Sequence, residues 1–401
     1  MSEQKLSLDH IYRASHVLKS VIRQTSLIKT PSLGTNVYIK PENLQVTGSF
    51  KVRGAGYMIS QLSPEERQRG VIACSAGNHA QGVALAAQSY GIPATICLPE
   101  GAPISKVEAT RSYGAAICLV PGVYDDAYNY ALKLTEERGI AFVHPFDNPL
   151  VIAGQGTIGL EIIDELPEVE QVIVPIGGGG LASGVAYAIK QLNPKVKVYG
   201  VQAEGAPSMF NSVHDGQIER LDTVHTIADG IAVKQPGDNT FELCRSLLDE
   251  IVTVTEDEIC AAIIQLLEKR KLIAEGAGAV SVAAVMFNKV PVGDKKTVCI
   301  VSGGNIDVNF LNRIITRGLE KSGRKCTFTI EIPDKPGQLV AISSIIASLG
   351  ANITAVNHER TAATADVTSC QLRVSLETRN HEHCEEIRNA LLDKGYIIVG
   401  K

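Results

Sequence analysis

The chain has 401 residues, of which 45% are hydrophobic and 20% charged, with a formal net charge of -5. This balance is too apolar for a disordered chain, and the length predicts roughly two to three domains. An acidic charge without basic runs argues against nucleic acid or an anionic membrane as a partner.

The cysteines and the apolar segments indicate a cytoplasmic protein. Nine cysteines are spread singly, without a C-x-x-C pair, as expected for reduced thiols. The N-terminus has no signal-peptide pattern, and no apolar run approaches the ~18 to 20 residues that span a bilayer. His381, His383 and Cys384 are ligand types, but their spacing does not place them on one helix face, so we expect no metal site.

From about residue 70, short β-rich runs alternate with helical segments. The predicted strands lie at 71–74, 94–98, 116–120, 141–143, 171–176, 196–202 and 298–301. The predicted helices lie at 80–90, 105–113, 125–138, 156–165, from 181 onward, 259–269 and 308–319. This alternation is typical of βαβ units around a parallel sheet, so the fold class is α/β.

The pattern changes after the polar linker at 321–325. Strands are predicted at 327–332, 353–360, 366–375 and 396–399, and helices at 337–349 and 382–392. This βαββαβ order is ferredoxin-like. We therefore expect one domain over 1–320, with a smaller subdomain at about 50–150, and a second domain over 326–401.

Three loops carry small polar residues that a simple core would not require. They are Thr47–Lys51, Ser75–His79 and Gly177–Gly180. Because ligands of open α/β sheets bind outside the carboxyl ends of the strands, we expect a ligand beside these loops.

The glycine run Gly177–Gly180 lies between a strand and a helix and is suited to binding an anion. Glycines let backbone N–H groups approach a phosphate at the positive end of the helix. A tight turn is the plain structural alternative. A dinucleotide is another, since Gly177-x-Gly179-x-x-Ala182 loosely matches that fingerprint and Glu204 follows the next strand.

Lys51 lies among small residues, where desolvation could deprotonate its amine and allow a Schiff base to form. The alternative is an ordinary surface lysine, which is the usual fate of this residue type. The residues around Lys51 do not decide between these two interpretations.

The loops, taken together, resemble the motifs of fold-type II pyridoxal-phosphate enzymes, and in particular those of the threonine dehydratases, or threonine ammonia-lyases. The matching segments, in family order, are Gly48-Ser49-Phe50-Lys51, Ser75-Ala76-Gly77-Asn78-His79, Gly177–Leu181 and Ser302-Gly303-Gly304-Asn305. Asp334–Leu339 is similar to the opening of an ACT regulatory domain. The resemblance implies a tryptophan synthase β-like fold of two parallel-sheet subdomains, followed by an ACT domain.

The resemblance also implies a role for each motif residue. Lys51 would bind pyridoxal 5'-phosphate covalently and act as the catalytic base, while Phe50 packs beside the cofactor ring. Asn78 would bond the 3-hydroxyl oxygen, and Ser302 would face the pyridine nitrogen. The phosphate would be held by Gly177, Gly178, Gly179, Gly180 and Leu181, and the substrate carboxylate by the loop of Ser75, Ala76, Gly77 and His79.

The implied reaction is deamination of L-threonine to 2-oxobutanoate and ammonia, with L-serine as a slower substrate. A hydroxyl such as Ser302 opposite the pyridine nitrogen favours elimination, because it does not hold that nitrogen protonated. Related serine racemases have a serine at the position of Ala76 and an acid at the position of Phe210. Those departures argue against racemisation and against a magnesium site near Glu204.

The resemblance further implies regulation by an amino acid at the C-terminal domain, with isoleucine or valine as the expected effector, and a homodimer or homotetramer. Gly337 and the strand at 353–358 would form the effector pocket. A dimerisation domain without a ligand is the alternative. Two other functions remain open: a nicotinamide-dependent oxidoreductase using Gly177–Ala182, and a protein that mainly senses amino acids.

Overall fold

The structure, a computed structural model, describes residues 5–102, 104–360 and 368–399. In chain order the strands are β1 (Ile28–Lys29), β2 (Val37–Pro41), β3 (Val71–Cys74), β4 (Ala94–Pro99), β5 (Ala116–Val120), β6 (Ala141–Phe142), β7 (Gln171–Pro175), β8 (Lys197–Ala203), β9 (Glu250–Val254), β10 (Thr297–Val301), β11 (Lys325–Pro333), β12 (Asn352–Glu359), β13 (Ser369–Glu377) and β14 (Ile397–Val399). The helices are α1 (Leu8–Val17), α2 (Lys51–Ser60), α3 (Pro64–Arg69), α4 (Asn78–Ser89), α5 (Ile104–Arg111), α6 (Tyr124–Arg138), α7 (Pro149–Glu165), α8 (Gly180–Leu192), α9 (Ser208–Asp215), α10 (Asp238–Leu247), α11 (Glu256–Gln265), α12 (Gly276–Met286), α13 (Val308–Lys321), α14 (Gln338–Ser348) and α15 (His381–Asp393).

The chain divides into two compact units, Met1–Ile306 and Asp307–Lys401. The division falls before α13, earlier than the boundary expected at residue 320. Helix α13 therefore groups with the second unit, where it packs against β11.

The first unit contains a six-stranded sheet of order β1-β2-β10-β7-β8-β9, which is parallel except for β1. Strands β7 and β10 are buried along their whole length, as their apolar runs predict for a sheet covered on both faces. Helix α12 is apolar all round because it is also enclosed by its neighbours, among them β7, β8 and β10. The predicted parallel α/β architecture is confirmed.

A second parallel sheet in this unit has the order β5-β4-β3-β6. Alternate residues of β3 point to opposite faces of the sheet. Val71 and Ala73 pack in the cluster that includes α4, whereas Ile72 and Cys74 pack in the cluster that includes α6. The small sheet is thus covered on both sides by apolar side chains.

The second unit has the predicted βαββαβ order and an antiparallel sheet of order β12-β13-β11-β14, which is the ferredoxin-like arrangement. Inward residues of β11 and β13, such as Ile330 and Leu372, share a core with Ile346 of α14 and Ile387 of α15. The predicted strand at 366–375 begins at residue 369 in the structure, and residues 366 and 367 lie outside the described residues.

Two helices begin three or more residues before their predicted first residue. Helix α7 begins at Pro149 rather than at 156, because the Asn148 side chain accepts hydrogen bonds from the N–H groups of Leu150 and Val151 and caps the helix there. The helix predicted over 259–269 begins at Glu256, and its α-helical part ends at Gln265. It continues as a π-helical turn, Leu266–Arg270. Among the described residues, none of the helices has both the length and the apolar character that spanning a membrane requires.

Candidate active site

The three predicted loops meet at one cavity of about 1020 Å³ in the first unit. Ser75–His79 follows the carboxyl end of β3 and Gly177–Gly180 follows that of β7, where α/β sheets bind their ligands. Thr47–Lys51 leads into α2, and Ser302, which also lines the cavity, follows β10. The predicted site residues that line the cavity are Phe50, Lys51, Ser75, Ala76, Gly77, Asn78, His79, Gly177, Gly178, Leu181 and Ser302. Gly179 and Gly180 belong to the same turn and pack behind its surface.

Lys51 is the first residue of α2, and its side chain reaches into this cavity. Its Nζ donates to the Pro145 carbonyl oxygen at 2.8 Å and lies 5.3 Å from the centroid of the Phe50 ring. Burial lowers the pKa of the Lys51 amine to about 8, although the charge of Glu275 acts in the opposite direction. The amine is therefore far easier to deprotonate than that of a surface lysine, as nucleophilic use of a lysine requires.

The segment before Lys51 is held by the loop after β10. Phe50 N–H donates to the Ser302 carbonyl at 3.1 Å, and Gly304 N–H donates to the Gly48 carbonyl at 2.9 Å. Gly48 has φ +70°, and a Cβ there would lie 2.3 Å from Asn305 Oδ1. These contacts require glycine at 48 and fix the point at which α2 begins.

A buried ion cluster anchors α2 from behind. The Arg53 guanidinium contacts Glu42 at 2.8 Å and Glu161 at 2.6 Å, and Lys40 contacts Glu161 at 2.6 Å. Burial alone would raise the pKa of Glu42, but the charge and hydrogen bonds of Arg53, together with Thr25 and Lys40, hold the pKa below its usual range. Because Arg53 lies two residues after Lys51, the cluster fixes the turn that carries the amine.

The glycine turn between β7 and α8 is shaped by neighbours that leave no room for side chains. A Cβ at Gly178 would lie 2.5 Å from ring carbons of Phe146, and one at Gly179, where φ is +95°, would lie 2.8 Å from Thr240 Cβ. The Thr240 hydroxyl donates to the Gly178 carbonyl at 2.6 Å. The turn therefore presents backbone at the N-terminus of α8, where the first N–H groups lack intrahelical partners and favour an anion.

Asn78 lies at the start of α4 and joins a polar chain across the cavity. Its Nδ2 donates to Glu275 Oε1 at 2.6 Å, and its Oδ1 accepts from Asn305 Nδ2 at 2.7 Å. The amide is therefore oriented by groups that come from two other loops. Asn78, which the sequence predicts to contact a cofactor, therefore lines the cavity with its amide held in one orientation.

The loop at Ser75–His79 is open on its cavity side. A Cβ added at Gly77 would meet nothing within 4 Å, and Gly77 N–H donates to Ser75 Oγ at 3.1 Å. The His79 ring is buried, and its Nε2 contacts the Val143 carbonyl at 2.8 Å. Burial, followed by the charge of Lys51, lowers the pKa of His79 to about 3, so this ring is neutral near pH 7.

Ser302 follows β10 and is 3% exposed. Its hydroxyl donates to the Ala277 carbonyl at 3.2 Å, and by rotation the same O–H can donate to an acceptor in the cavity instead. The residue that the sequence predicts to face a pyridine nitrogen is thus a neutral hydroxyl on the cavity wall.

The arrangement fits pyridoxal phosphate. The group needs an amine for its aldehyde, an anion site for its phosphate, and polar contacts for its ring substituents. Lys51 has an amine with a lowered pKa that would meet the aldehyde, and the side-chain-free turn at Gly177–Gly180 would hold the phosphate. Asn78 and Ser302, which line the same cavity, would contact the ring substituents.

Sequence reasoning missed Glu275, Phe146 and Thr240. Glu275 is buried, and it affects both Asn78 and Lys51. The sequence did contain a signal for Glu275: it is an acid within a run of small apolar residues, and a buried segment rarely contains an acid. Phe146 and Thr240 pack against the glycine turn between β7 and α8, and the segments that contain them carry no local motif.

Comparisons with known proteins point to one family. A family model described as pyridoxal-phosphate dependent enzyme matches residues 18–303. An L-threonine ammonia-lyase of Thermotoga maritima is 53% identical over 98% of this chain and 98% of its own. Among solved structures, maize serine racemase has a TM-score of 0.74 at 34% identity, covering 79% of this chain and 99% of that one. Threonine deaminase isoform 2 of Solanum lycopersicum has a TM-score of 0.72 at 39% identity, covering 78% and 94%.

Proposed function

Because the chain belongs to the family of pyridoxal-phosphate-dependent enzymes, we propose that it is an L-threonine ammonia-lyase. It converts L-threonine to 2-oxobutanoate and ammonia by elimination of water, with L-serine as a slower substrate. The near full-length identity to the Thermotoga enzyme supports this substrate. Membership of this family argues against the alternative of a nicotinamide-dependent oxidoreductase.

One observation carries the proposal: the Lys51 amine and the glycine turn at Gly177–Gly180 meet on the same cavity. A lysine with a lowered pKa would by itself suit several reactions, and a glycine turn would by itself suit many phosphates. Their meeting on one cavity suits a phosphorylated aldehyde that is bound covalently at one end and by hydrogen bonds at the other.

When bound, pyridoxal phosphate supplies the electron-withdrawing ring that acidifies the α-hydrogen of an amino acid. Lys51 Nζ reaches into the cavity as a basic atom with a lowered pKa, and we assign it the removal of that hydrogen. The pKa of about 8 allows Nζ to accept a proton and release it again near neutral pH. The side chains of His79 and His144 are poor proton carriers here, since burial followed by the charge of Lys51 lowers their pKa values to about 3 and about 4.

The Ser75–His79 loop is assigned to the substrate carboxylate. The loop ends at the N-terminus of α4, where backbone N–H groups and the helix dipole favour a negative charge. Gly77 leaves room for the carboxylate because nothing lies within 4 Å of the position a Cβ would take.

The neutral residues on the cavity favour elimination over racemisation. Ala76 lines the cavity and carries no group that could exchange a proton on the second face of the substrate. Ser302 offers a hydroxyl rather than a carboxylate to the ring nitrogen. We therefore expect 2-oxoacid formation without measurable D-isomer.

The deciding assay is 2-oxoacid formation by the full chain loaded with pyridoxal phosphate. We expect 2-oxobutanoate from L-threonine and slower formation of the corresponding 2-oxoacid from L-serine. A loaded enzyme that releases neither product contradicts the proposal. Release of product from L-serine alone would overturn the assignment of threonine as the main substrate.

The second unit is proposed to act as an ACT regulatory domain in a cytoplasmic homodimer or homotetramer of the isoleucine pathway. Its ferredoxin-like order and the Asp334–Leu339 segment support this. Gly337, with φ +92°, is the N-cap of α14, and nothing lies within 4 Å of the position that a Cβ would take there. Isoleucine or valine is the expected effector.

A further inference from the structure

Three residues of metal-binding type meet at one end of the sheet in the second unit. Asp334 directly follows β11, His358 lies in β12, and Cys370 lies in β13. Because the sheet order is β12-β13-β11, these segments are neighbours although they are far apart along the chain. None of the three belongs to the catalytic cavity.

The donor atoms of the three side chains are close together. His358 Nε2 lies 2.9 Å from Cys370 Sγ, and one ligand atom from each of the three residues lies within 4.8 Å of the other two. Two donors around a tetrahedral Zn²⁺ are roughly 3.5 Å apart, given bond lengths of about 2.0 to 2.3 Å. The observed separations bracket that value, so small side-chain rotations bring the three atoms to ligand positions.

The strand register explains why the atoms converge. His358 pairs with Leu372, and Cys370 lies two residues before Leu372 in β13, so His358 and Cys370 lie on the same side of the sheet. The Cys370 side chain is fully buried, whereas Asp334 is exposed at the sheet end. The cluster therefore has a buried sulfur at its base and an opening to solvent through which a cation can enter.

We propose that Asp334, His358 and Cys370 bind a divalent transition-metal cation, for which Zn²⁺ is the best match. An imidazole nitrogen, a thiolate and a carboxylate are the three ligand types that zinc takes in proteins. Three protein ligands leave one position of a tetrahedral ion to water. The Arg360 guanidinium contacts Asp334 Oδ1 at 3.2 Å, so the cation competes with this arginine for the carboxylate.

The donor atoms of His381, His383 and Cys384, which the sequence also offered as metal-ligand types, do not point toward one another. His381 Nε2 contacts the Lys321 carbonyl at 2.9 Å, and His383 Nε2 contacts the Leu349 carbonyl at 3.0 Å. Cys384 Sγ donates to the Gly323 carbonyl at 3.3 Å. Each side chain is bonded to a different carbonyl oxygen, which makes His381 a suitable control residue.

The test is a zinc titration of the full chain, loaded with pyridoxal phosphate, in competition with a chromophoric chelator. The variants are His358→Asn and Asp334→Asn, which change exposed side chains. The matched controls are His381→Asn and Asp393→Asn, which change an exposed histidine and an exposed aspartate elsewhere in the same unit. Removing a ligand should lower the affinity by more than the roughly 10- to 100-fold that loss of an outer-shell partner costs.

A second readout uses Co²⁺ in place of Zn²⁺. The wild-type chain should show a thiolate-to-cobalt charge-transfer band in the difference spectrum. That band should be absent in Cys370→Ser and retained in His381→Asn. A wild-type chain without the band, or His358→Asn and Asp334→Asn variants with wild-type zinc affinity, would overturn the proposal. The result is independent of threonine turnover, so it can fail or succeed without affecting the catalytic assignment.

Discussion

The pH at which the protein captures its cofactor follows from the environment of Lys51. Burial lowers the pKa of the free amine to about 8. At pH 7 roughly one amine in ten is then neutral, compared with roughly three in ten thousand for an ordinary lysine. Only the neutral amine attacks an aldehyde, so the capture rate should rise with pH and level off above pH 8.

The informative perturbation is Glu275→Gln. The charge of Glu275 raises the pKa of Lys51, so its removal should move that pKa below 8 and shift the capture profile to lower pH. The gain at pH 7 has a ceiling of about tenfold, because the neutral fraction starts at roughly one in ten. Glutamine keeps an oxygen that can accept from Asn78 Nδ2.

The assay is the absorbance change when pyridoxal phosphate is added to cofactor-free protein over a series of pH values. Glu242→Gln is the matched control, since Glu242 is an exposed acid on α10. It should leave the profile unchanged, and the cofactor's own ionisations are common to all three proteins. A Glu275→Gln profile identical to that of the wild type, or a wild-type midpoint near 10, would refute the reasoning.

Three further outcomes are expected. Gly178→Ala should weaken cofactor binding at least about tenfold, measured by equilibrium dialysis, because its Cβ would overlap the Phe146 ring. Gly101→Ala is the control and should not weaken binding, since nothing lies within 4 Å of its Cβ position. Equal affinities of the two variants would contradict the phosphate assignment. Arg53→Ala should lower the free energy of unfolding by about 3 to 5 kcal/mol in urea, because it leaves the buried Glu42 unpaired. Arg53 lowers the folded-state pKa of Glu42, so its stabilising effect is present above the usual carboxyl pKa and is lost as the pH falls through the folded-state pKa. The Arg53→Ala variant should therefore lose less stability on acidification than the wild type. An equal acid sensitivity of the two proteins would count against this reasoning. Isoleucine should shift the threonine saturation curve of the full chain. Deletion of residues 325–401 should abolish this shift while threonine turnover persists. A shift that survives the deletion would rule out the regulatory assignment.

Local sequence patterns were sufficient for most of the fold. Strands such as β5 and β7 follow from apolar runs, and both ends of α6 and the start of α8 lie within one residue of prediction. These features depend on side-chain periodicity and on turn residues, both of which can be read within a short window. The boundary between the two units after Ile306 could not be predicted from the sequence, because the apolar face of α13 does not specify which unit the helix packs against.

The candidate site was predictable in its motifs but not in its supporting contacts. Lys51 and the glycine turn were identifiable from residue type and position. By contrast, the bond from Asn78 to Glu275 joins residues 197 positions apart, and the bond from Asn305 to Asn78 joins residues 227 positions apart. Such pairs form because the ends of different strands meet in space, and no local pattern specifies which ends meet.

The pairing of His358 with Cys370 has the same origin. The two residues are 12 positions apart and lie on adjacent strands whose register places them together. Sequence spacing suggested no metal site there, since the third residue comes from a separate strand end.

The most direct test of the central claim is to identify the lysine that carries the cofactor. The loaded protein is reduced with borohydride, digested, and analysed by mass spectrometry. We predict a single pyridoxyl adduct on Lys51, and a Lys51→Ala protein with neither adduct nor threonine turnover. An adduct on a different lysine, or full turnover by Lys51→Ala, would contradict the account.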